Sequence, residues 1–294
     1  MKLHYAAQPA RLRAVVAAIA VVTAIAVPLL TVSRGASAQT RVAHQGASGP
    51  KPTIVLEHGA WADASSWTGV IRLLQQAGYT VDAPPDPLQG LTYDSTTLTD
   101  YLRTITGPVI LVGHSYGGAV ITNAAGGDPN VKALVYVDAF IPAQGETLLQ
   151  LIAAQPGSCL AGNPADTFTA VPYPGAPAGD VDLYLKTAPD GSYPGFAECF
   201  ANGLPASEAA VLAATQRPLA YSAASTPSGP PAWQTIPSWS VIGTADHVIP
   251  LAEQLFMAER AKSHITEIDA GHLSLISDPC AVARTIIQAA DTVG

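Results

Sequence analysis

Apolar runs of strand length alternate with helical patterns over most of the chain after Pro52. Short apolar runs predict strands at 53–57, 80–83, 108–112, 133–137, 239–242 and 266–268. Amphipathic spacing predicts helices at 65–77, 95–104, 251–262 and 281–290, and a helical pattern also follows Ser115. This alternation favours the α/β class, with a mostly parallel sheet covered by helices on both faces.

Between Ile141 and Ile236 the alternation stops, and Pro, Gly and Ala become dense. Helical patterns remain only at 146–154 and 208–216. An insertion of roughly 95 residues is too long for an ordinary loop. We therefore expect one domain over 52–294, with a cap at about 142–236 above the carboxyl edge of the sheet, where open α/β sheets bind ligands.

The first 38 residues read differently from the rest of the chain. Lys2, Arg11 and Arg13 precede an apolar run over 14–30, and Ala36-Ser37-Ala38 follows it. This order predicts a secretory signal peptide over 1–38, with a short linker at 39–51. An uncleaved membrane anchor is the alternative, although a run of about 17 residues is marginal for spanning a bilayer. We expect a secreted or periplasmic protein without a membrane anchor after cleavage.

Composition and charge exclude several classes of partner. The chain is 48% hydrophobic and only 12% charged, which indicates a globular protein and excludes a disordered one. Four of the 14 basic residues and none of the 22 acidic ones lie in 1–38, so the remaining chain has a net charge of −12. An acidic chain without a basic run is a poor ligand for nucleic acid and favours neutral substrates. No Cys/His spacing resembles a metal site, and no cofactor is expected.

The chain has three cysteines, and export permits disulfides. Cys159 and Cys199 both lie in the insertion, whereas Cys280 lies near the C-terminus. We predict a Cys159–Cys199 disulfide. Cys280 is then expected to be a free, buried thiol that packs as a small hydrophobic side chain.

A candidate nucleophile follows the strand predicted at 108–112. The chain continues as Gly113-His114-Ser115-Tyr116-Gly117, which matches Gly-x-Ser-x-Gly. In such a strand–turn–helix the glycines allow a tight turn that exposes the serine hydroxyl. By itself, the motif is equally typical of a glycine-rich turn without chemistry.

A base and an acid follow two later strands. Asp246 comes after the strand at 239–242, and His272 comes after the strand at 266–268. The chain order Ser, Asp, His is the order expected when the nucleophile lies on a turn of an α/β sheet. We predict that His272 accepts the Ser115 proton and that Asp246 orients the imidazole. Asp138, at the end of the strand at 133–137, is the alternative acid.

The loop after the first strand reads His58-Gly59-Ala60-Trp61. We expect the N–H groups of Ala60 and Tyr116 to form the oxyanion hole, because acyl transfer needs two donors beside the nucleophile. Trp61 is predicted to contact the substrate. Structural positions are expected for His58, His114 and Asp269, and a position at the rim of the site is expected for His247.

Taken together, these motifs resemble the α/β-hydrolase fold. Besides the segments above, the resemblance includes Gly243-Thr244-Ala245-Asp246, Ile249-Pro250 and Gly271-His272. More narrowly, they are similar to the branch that holds plant methylesterases, hydroxynitrile lyases and bacterial carboxylesterases. The likeness runs from 52 to 294, but the cap matches only in position and size. It implies a Ser-His-Asp hydrolase with Ser115, His272 and Asp246 in the three roles, and it transfers no substrate. We expect an esterase with an acyl-enzyme intermediate and no cofactor. The acidic charge and the apolar insertion favour a small neutral or apolar ester as its substrate.

Individual residues argue for or against the other activities found in this branch. The lyases typically carry Lys after the catalytic His and Thr in the first-strand loop, where this chain has Leu273 and Gly59-Ala60. Ser115 excludes epoxide hydrolases and dehalogenases, which carry Asp at the turn. A lactonase or amidase with the same triad remains the alternative. An inactive binding module is disfavoured because all three triad residues are present.

Overall fold

The computed structural model describes residues 51–293 of the chain. The signal peptide predicted at 1–38 and all but the last residue of the predicted linker lie outside these residues. The strands are β1 Thr53–Glu57, β2 Val81–Asp82, β3 Val109–His114, β4 Val131–Val137, β5 Phe168–Val171, β6 Asp182–Leu185, β7 Leu219–Ala220, β8 Ser238–Gly243 and β9 His264–Ile268. The α-helices are α1 Thr68–Gln76, α2 Leu91–Leu102, α3 Tyr116–Ala124, α4 Leu148–Ala154, α5 Pro164–Thr167, α6 Phe196–Cys199, α7 Ala206–Thr215, α8 Tyr221–Ser225, α9 Leu251–Arg260, α10 Ser274–Ser277 and α11 Pro279–Val293.

Six strands form one sheet in the order β2-β1-β3-β4-β8-β9, and every neighbouring pair is parallel. Helix α1 packs against α11, which contacts β4 and β8, whereas α2 packs against α3. Every residue of β3 and β8 is buried, as the apolar runs predicted for strands covered on both faces. The predicted α/β class is confirmed. Parallel pairing also brings the carboxyl ends of β1, β3, β8 and β9 to one edge of the sheet.

The insertion, residues 142–236, holds more structure than its sequence pattern indicated. The helical patterns at 146–154 and 208–216 correspond to α4 and α7. The chain also forms a second, antiparallel sheet, in the order β5-β6-β7, which the pattern did not predict. Its strands have two to four residues, and an alternation so short cannot be distinguished from a loop.

The cysteine predictions have two outcomes. Cys159 and Cys199 form a disulfide with a Cα–Cα distance of 5.7 Å, which confirms the pairing. Cys280 is free as predicted, but the expectation that it is buried is wrong, because its side chain is exposed. Cys280 is the second residue of α11, and the buried face of that helix begins at Ala281 and Val282. No helix within 51–293 is both long enough and apolar enough to span a bilayer.

Candidate active site

Ser115 lies at a strained turn between β3 and α3. Its φ is 53° and its ψ is −122°, a conformation that side chains rarely adopt. Close backbone approach explains both flanking glycines. A Cβ on Gly113 would lie 2.5 Å from the Gly117 carbonyl oxygen, and one on Gly117 would lie 2.7 Å from the Glu57 carbonyl oxygen. The turn therefore requires Gly-x-Ser-x-Gly and holds the serine above the carboxyl edge of the sheet.

The three residues predicted as a triad lie together in a hydrogen-bonded chain. His272 Nε2 lies 2.9 Å from Ser115 Oγ, and His272 Nδ1 lies 2.8 Å from Asp246 Oδ2. Asp246 follows β8 and His272 follows β9, and these strands are neighbours in the sheet. All three residues are buried. The arrangement can transfer a proton from the hydroxyl to the imidazole, and the carboxylate orients the ring.

Burial and hydrogen bonds act in opposite directions on the acid. Burial raises the pKa of Asp246, and hydrogen bonds to its carboxylate oppose that rise. The N–H groups of Val248 and Ile249 donate to Oδ1 at 2.7 and 3.0 Å, and Gln254 Nε2 donates to Oδ2 at 2.8 Å. These donors, with the His272 N–H, favour a carboxylate. Burial lowers the pKa of His272 below its ordinary value of 6.5, so the imidazole is neutral and can accept a proton.

Asp138, the alternative acid, has other partners. It is fully buried at the end of β4 with a φ of 45°. Its Oδ1 accepts the Gly243 N–H at 2.7 Å, and its Oδ2 accepts both the N–H and the hydroxyl of Ser274. Asp138 thus joins the end of β8 to the start of α10, whereas the carboxylate bonded to the imidazole belongs to Asp246. Burial and the nearby charge of Asp246 raise the pKa of Asp138.

Ala60 and Tyr116, predicted as oxyanion donors, line the same cavity as Ser115. Within residues 51–293 neither N–H donates to another protein group, so both can receive a negatively charged oxygen. A Cβ on Gly59 would lie 2.7 Å from the Ser115 Cβ. Only glycine allows the loop at 58–61, which we call the donor loop, to approach the serine this closely.

A buried group of carboxyls behind the donor loop was not predicted from the sequence. It consists of Glu57, Asp86 and Asp94, each at most 2% exposed. The Tyr116 hydroxyl donates to Asp94 Oδ2 at 2.6 Å. Burial raises the pKa of Asp86 to about 7, and burial and the Asp86 charge raise the pKa of Glu57. One feature of the sequence could have indicated this group: Glu57 is an acidic residue at the carboxyl end of an apolar strand.

The other histidines near the site have structural partners. Burial lowers the pKa of His58 to about 4, and its neutral Nε2 accepts the Asp86 N–H at 3.0 Å. His114 Nε2 lies 2.9 Å from the His272 carbonyl oxygen. His247 Nδ1 lies 2.8 Å from the Glu198 carbonyl oxygen at the surface. Asp269 is exposed in the turn before His272.

A cavity of about 40 Å³ opens at Ser115, and its lining is apolar. The insertion supplies most of the lining, with Leu148, Leu149, Ile152, Leu160, Phe168, Leu183, Leu219 and Ala224. Trp61, predicted to contact substrate, also lines it; its Nε1 donates to the Leu183 carbonyl at 2.9 Å, and its ring stacks on Phe168. Ligand pockets typically measure about 300–1,000 Å³. The cavity as described is therefore smaller than a typical ligand pocket.

Comparison with known proteins gives both a family and relatives. The profile of the alpha/beta hydrolase family matches residues 54–285. A carbendazim hydrolyzing esterase from Nocardioides sp. (strain SG-4G) is 38% identical over 112 residues, which cover 34% of this chain and 46% of that protein. A pyrethroid hydrolase from Sphingobium wenxiniae is 34% identical over 106 residues, which cover 32% of this chain and 38% of that protein. The chain thus spans less than half the length of these curated relatives.

Solved structures show the same fold at low sequence identity. A pyrethroid hydrolase from Sphingobium faniae JZ-2 has a TM-score of 0.64 at 24% identity, over 82% of this chain and 97% of that one. A polyneuridine aldehyde esterase has a TM-score of 0.63 at 19% identity, over 81% of this chain and 98% of that one. At these identities the likeness establishes the architecture, and the chemistry has to be argued from the site.

Proposed function

The chain belongs to the alpha/beta hydrolase family, and from this premise we propose that it is a serine hydrolase that cleaves carboxylic esters. The observation that carries the proposal is the hydrogen-bonded chain from Ser115 through His272 to Asp246, with contacts of 2.9 and 2.8 Å. The esterase and hydrolase names of the relatives support the same reaction class.

In the first half of the reaction, Ser115 Oγ forms a bond to the ester carbonyl carbon while its proton passes to His272 Nε2. The carbonyl oxygen becomes negative and is stabilised by the N–H groups of Ala60 and Tyr116. His272 then gives the proton to the leaving alcohol as the carbon–oxygen bond breaks. Asp246 stabilises the transient imidazolium through Nδ1–H.

In the second half, a water molecule replaces the alcohol. His272 takes a proton from this water, whose oxygen attacks the acyl carbon bonded to Ser115. The tetrahedral intermediate is stabilised by the same two N–H donors, and collapse returns the proton to Ser115 Oγ. The acid product leaves, and no cofactor takes part in either half.

The lining of the cavity supports a neutral, apolar ester as the substrate. No charged side chain of residues 51–293 lines it, and its aliphatic and aromatic residues come from both the donor loop and the insertion. Burying a charged substrate group there would cost several kcal/mol without a partner. The large excess of acidic residues in the chain also disfavours anionic substrates.

Aryl esters of graded acyl length, together with matching anilides, test the reaction class. We expect turnover of the esters and a loss of about 10⁵-fold in kcat for Ser115→Ala. Ser240→Ala is the matched control, because Ser240 is a buried serine without a hydrogen-bond partner within 51–293. A folded Ser115→Ala variant that keeps a tenth of the activity would contradict the mechanism, and faster anilide turnover would indicate an amidase.

We also propose that the protein is exported and carries no membrane anchor in its mature form. The charge and hydropathy pattern of residues 1–38 supports export, and so does the Cys159–Cys199 disulfide. N-terminal sequencing of protein recovered from the medium or periplasm tests this. A mature chain that begins at Gln39 is expected, and a membrane-bound chain that keeps residues 1–38 would contradict it.

A further inference from the structure

The loop that carries Asp246, residues 245–248, is held from two sides; we refer to it as the acid loop. On one side, residues at the carboxyl ends of β8 and β9 accept two of its N–H groups: the Ala245 N–H donates to the Ala270 carbonyl at 3.0 Å, and the Asp246 N–H donates to the Gly243 carbonyl at 3.2 Å. On the other side, the carbonyl groups of Ala245, His247 and Val248 accept hydrogen bonds from the insertion.

One segment of the insertion, at 158–159, holds the second half of the acid loop. The Cys159 N–H donates to the His247 carbonyl at 2.8 Å, and Ser158 Oγ donates to the Val248 carbonyl at 2.7 Å. The Val248 N–H in turn donates to Asp246 Oδ1 at 2.7 Å. Val248 therefore connects this segment to the carboxylate of Asp246, because it bonds to both.

A second segment, at 198–202, holds the first half of the acid loop and faces the base. Asn202 Nδ2 donates to the Ala245 carbonyl at 2.7 Å. Asn202 also lies so close to Gly271 that no side chain would fit there. The ring of Phe200 packs on the His272 ring, with 5.3 Å between centroids.

The Cys159–Cys199 disulfide joins these two segments. We propose that the disulfide, Ser158 and Asn202 form a brace that positions Asp246 against His272. This inference rests on the proposed esterase mechanism. The brace makes part of the triad geometry depend on the insertion, so the insertion contributes to the chemical step as well as to substrate binding. Ser158, Asn202 and the cysteines are positioning residues, because none of them bonds to the imidazole or to Ser115 within residues 51–293.

The brace and a simple pocket closure predict different kinetics. Opening the brace shifts the acid, and a shift of about 1 Å in a catalytic group can cost about 10²-fold in rate. We therefore expect the double variant Cys159→Ser/Cys199→Ser to lose about 10- to 100-fold in kcat, with KM changed less than about threefold. If the disulfide served only to close the pocket, KM would rise and kcat would stay unchanged.

The experiment measures kcat and KM on an aryl ester for the double cysteine variant, Ser158→Ala and Asn202→Ala. Cys280→Ser is the matched control, since Cys280 is exposed and free. Ser158→Thr keeps the hydroxyl and is expected to restore kcat. The downfield proton resonance of the His272–Asp246 hydrogen bond gives a readout without turnover, and it is expected to shift or broaden in all three brace variants.

A folded double cysteine variant with wild-type kcat and an unchanged downfield resonance would overturn the inference. If that variant does not fold, Ser158→Ala and Asn202→Ala decide the matter with the disulfide intact, and unchanged kcat and resonance in both would overturn it. A wild-type protein without ester turnover would instead contradict the proposed function. The resonance would then still report whether the brace orients the acid and the base.

Discussion

The sheet core, residues 52–141 and 237–293, and the insertion, residues 142–236, are held together in different ways. In the core, strands β3 and β8 are buried along their full length, and backbone ladders fix their register. In the insertion, three of the four residues of β5 are exposed. At one position a side chain bonds to a strand in place of a neighbouring backbone: Gln216 accepts from the N–H of Leu185 and donates to its carbonyl, at 2.9 and 3.0 Å.

The core and the insertion contribute differently to the site: the core positions the triad, and the insertion lines the cavity. The core places Ser115, Asp246 and His272 after the carboxyl ends of the parallel strands β3, β8 and β9, so their separation depends on backbone geometry. The insertion supplies most of the apolar lining, and its side chains can change without moving the strand ends. Changes in the core are therefore expected to reduce turnover, whereas changes in the insertion are expected to alter substrate preference, with the brace on the acid loop as the proposed exception.

The largest effect is expected from the acid in the core. Asp246→Asn should lower kcat about 10⁴-fold, because the amide no longer fixes the tautomer of His272. Asp138→Asn disturbs the bonds to Gly243 and Ser274 and should cost about 1–3 kcal/mol of stability, with kcat within about tenfold of wild type. Steady-state kinetics and thermal melts of both variants check this. A greater loss of kcat in Asp138→Asn, at equal stability, would reverse the assignment of the acid.

The next effect concerns the donor loop of the core. An added Cβ in Gly59→Ala would lie 2.7 Å from the Ser115 Cβ and 2.9 Å from the His114 carbonyl oxygen. The loop must shift, and the Ala60 N–H then loses its position. We expect a loss of about 10²-fold in kcat, as for removal of one oxyanion donor.

Gly126→Ala is the control for that variant, because the nearest atom to its added Cβ lies 4.0 Å away. It should keep wild-type kcat. Equal kcat for Gly59→Ala and the wild type would show that the loop can move away from Ser115 without a loss of rate. Ala60 would then not be an oxyanion donor.

A smaller effect is expected in the insertion. Leu148 and Leu151 lie on the same short helix, α4, and both are buried, but only Leu148 lines the cavity. Leu148→Ala enlarges the cavity and should change the ratio of kcat/KM between long and short acyl esters about tenfold. Leu151→Ala should lose stability without changing that ratio. An equal change of preference in both variants would mean that packing of the insertion as a whole, and not the cavity wall, sets selectivity.

The smallest effect concerns the pH dependence of the stability of the core. The pKa of Glu57 is raised above its ordinary value of 4.5 by burial and by Asp86. Such a group stabilises the fold below its unfolded pKa, and this contribution is lost as the pH rises through the folded pKa. The Tm should therefore fall between pH 5 and pH 8, and Glu57→Gln, which cannot ionise, should reduce that fall by about 2–4 °C. Thermal melts at both pH values measure it.

Glu208→Gln is the matched control, because Glu208 is exposed on α7 in the insertion. It should leave the pH dependence of the Tm unchanged. A Glu57→Gln variant whose Tm falls as steeply as that of the wild type would show that the buried carboxyls do not govern this dependence.

Prediction from the sequence succeeded where the pattern was long and locally determined. Strand β1 was predicted with its observed bounds, and β3 and β8 within two residues, because strands that are covered on both faces consist mostly of apolar residues. Helix α2 begins at Leu91, four residues before the predicted start. The Asp94 carboxylate accepts the N–H groups of Gln89 and Gly90 there, a contact that periodicity does not reveal.

The amino-acid sequence alone determined the strands of the sheet, the glycine turn at Ser115 and the order Ser115, Asp246, His272, because each depends on neighbours along the chain. Only the tertiary structure decided which acid bonds to the imidazole, which face of α11 carries Cys280, and that Asn202 holds the acid loop. These outcomes depend on contacts between residues that lie far apart in sequence. A local pattern predicts that a side chain is polar or apolar, but the packing of separate elements decides which partner it meets.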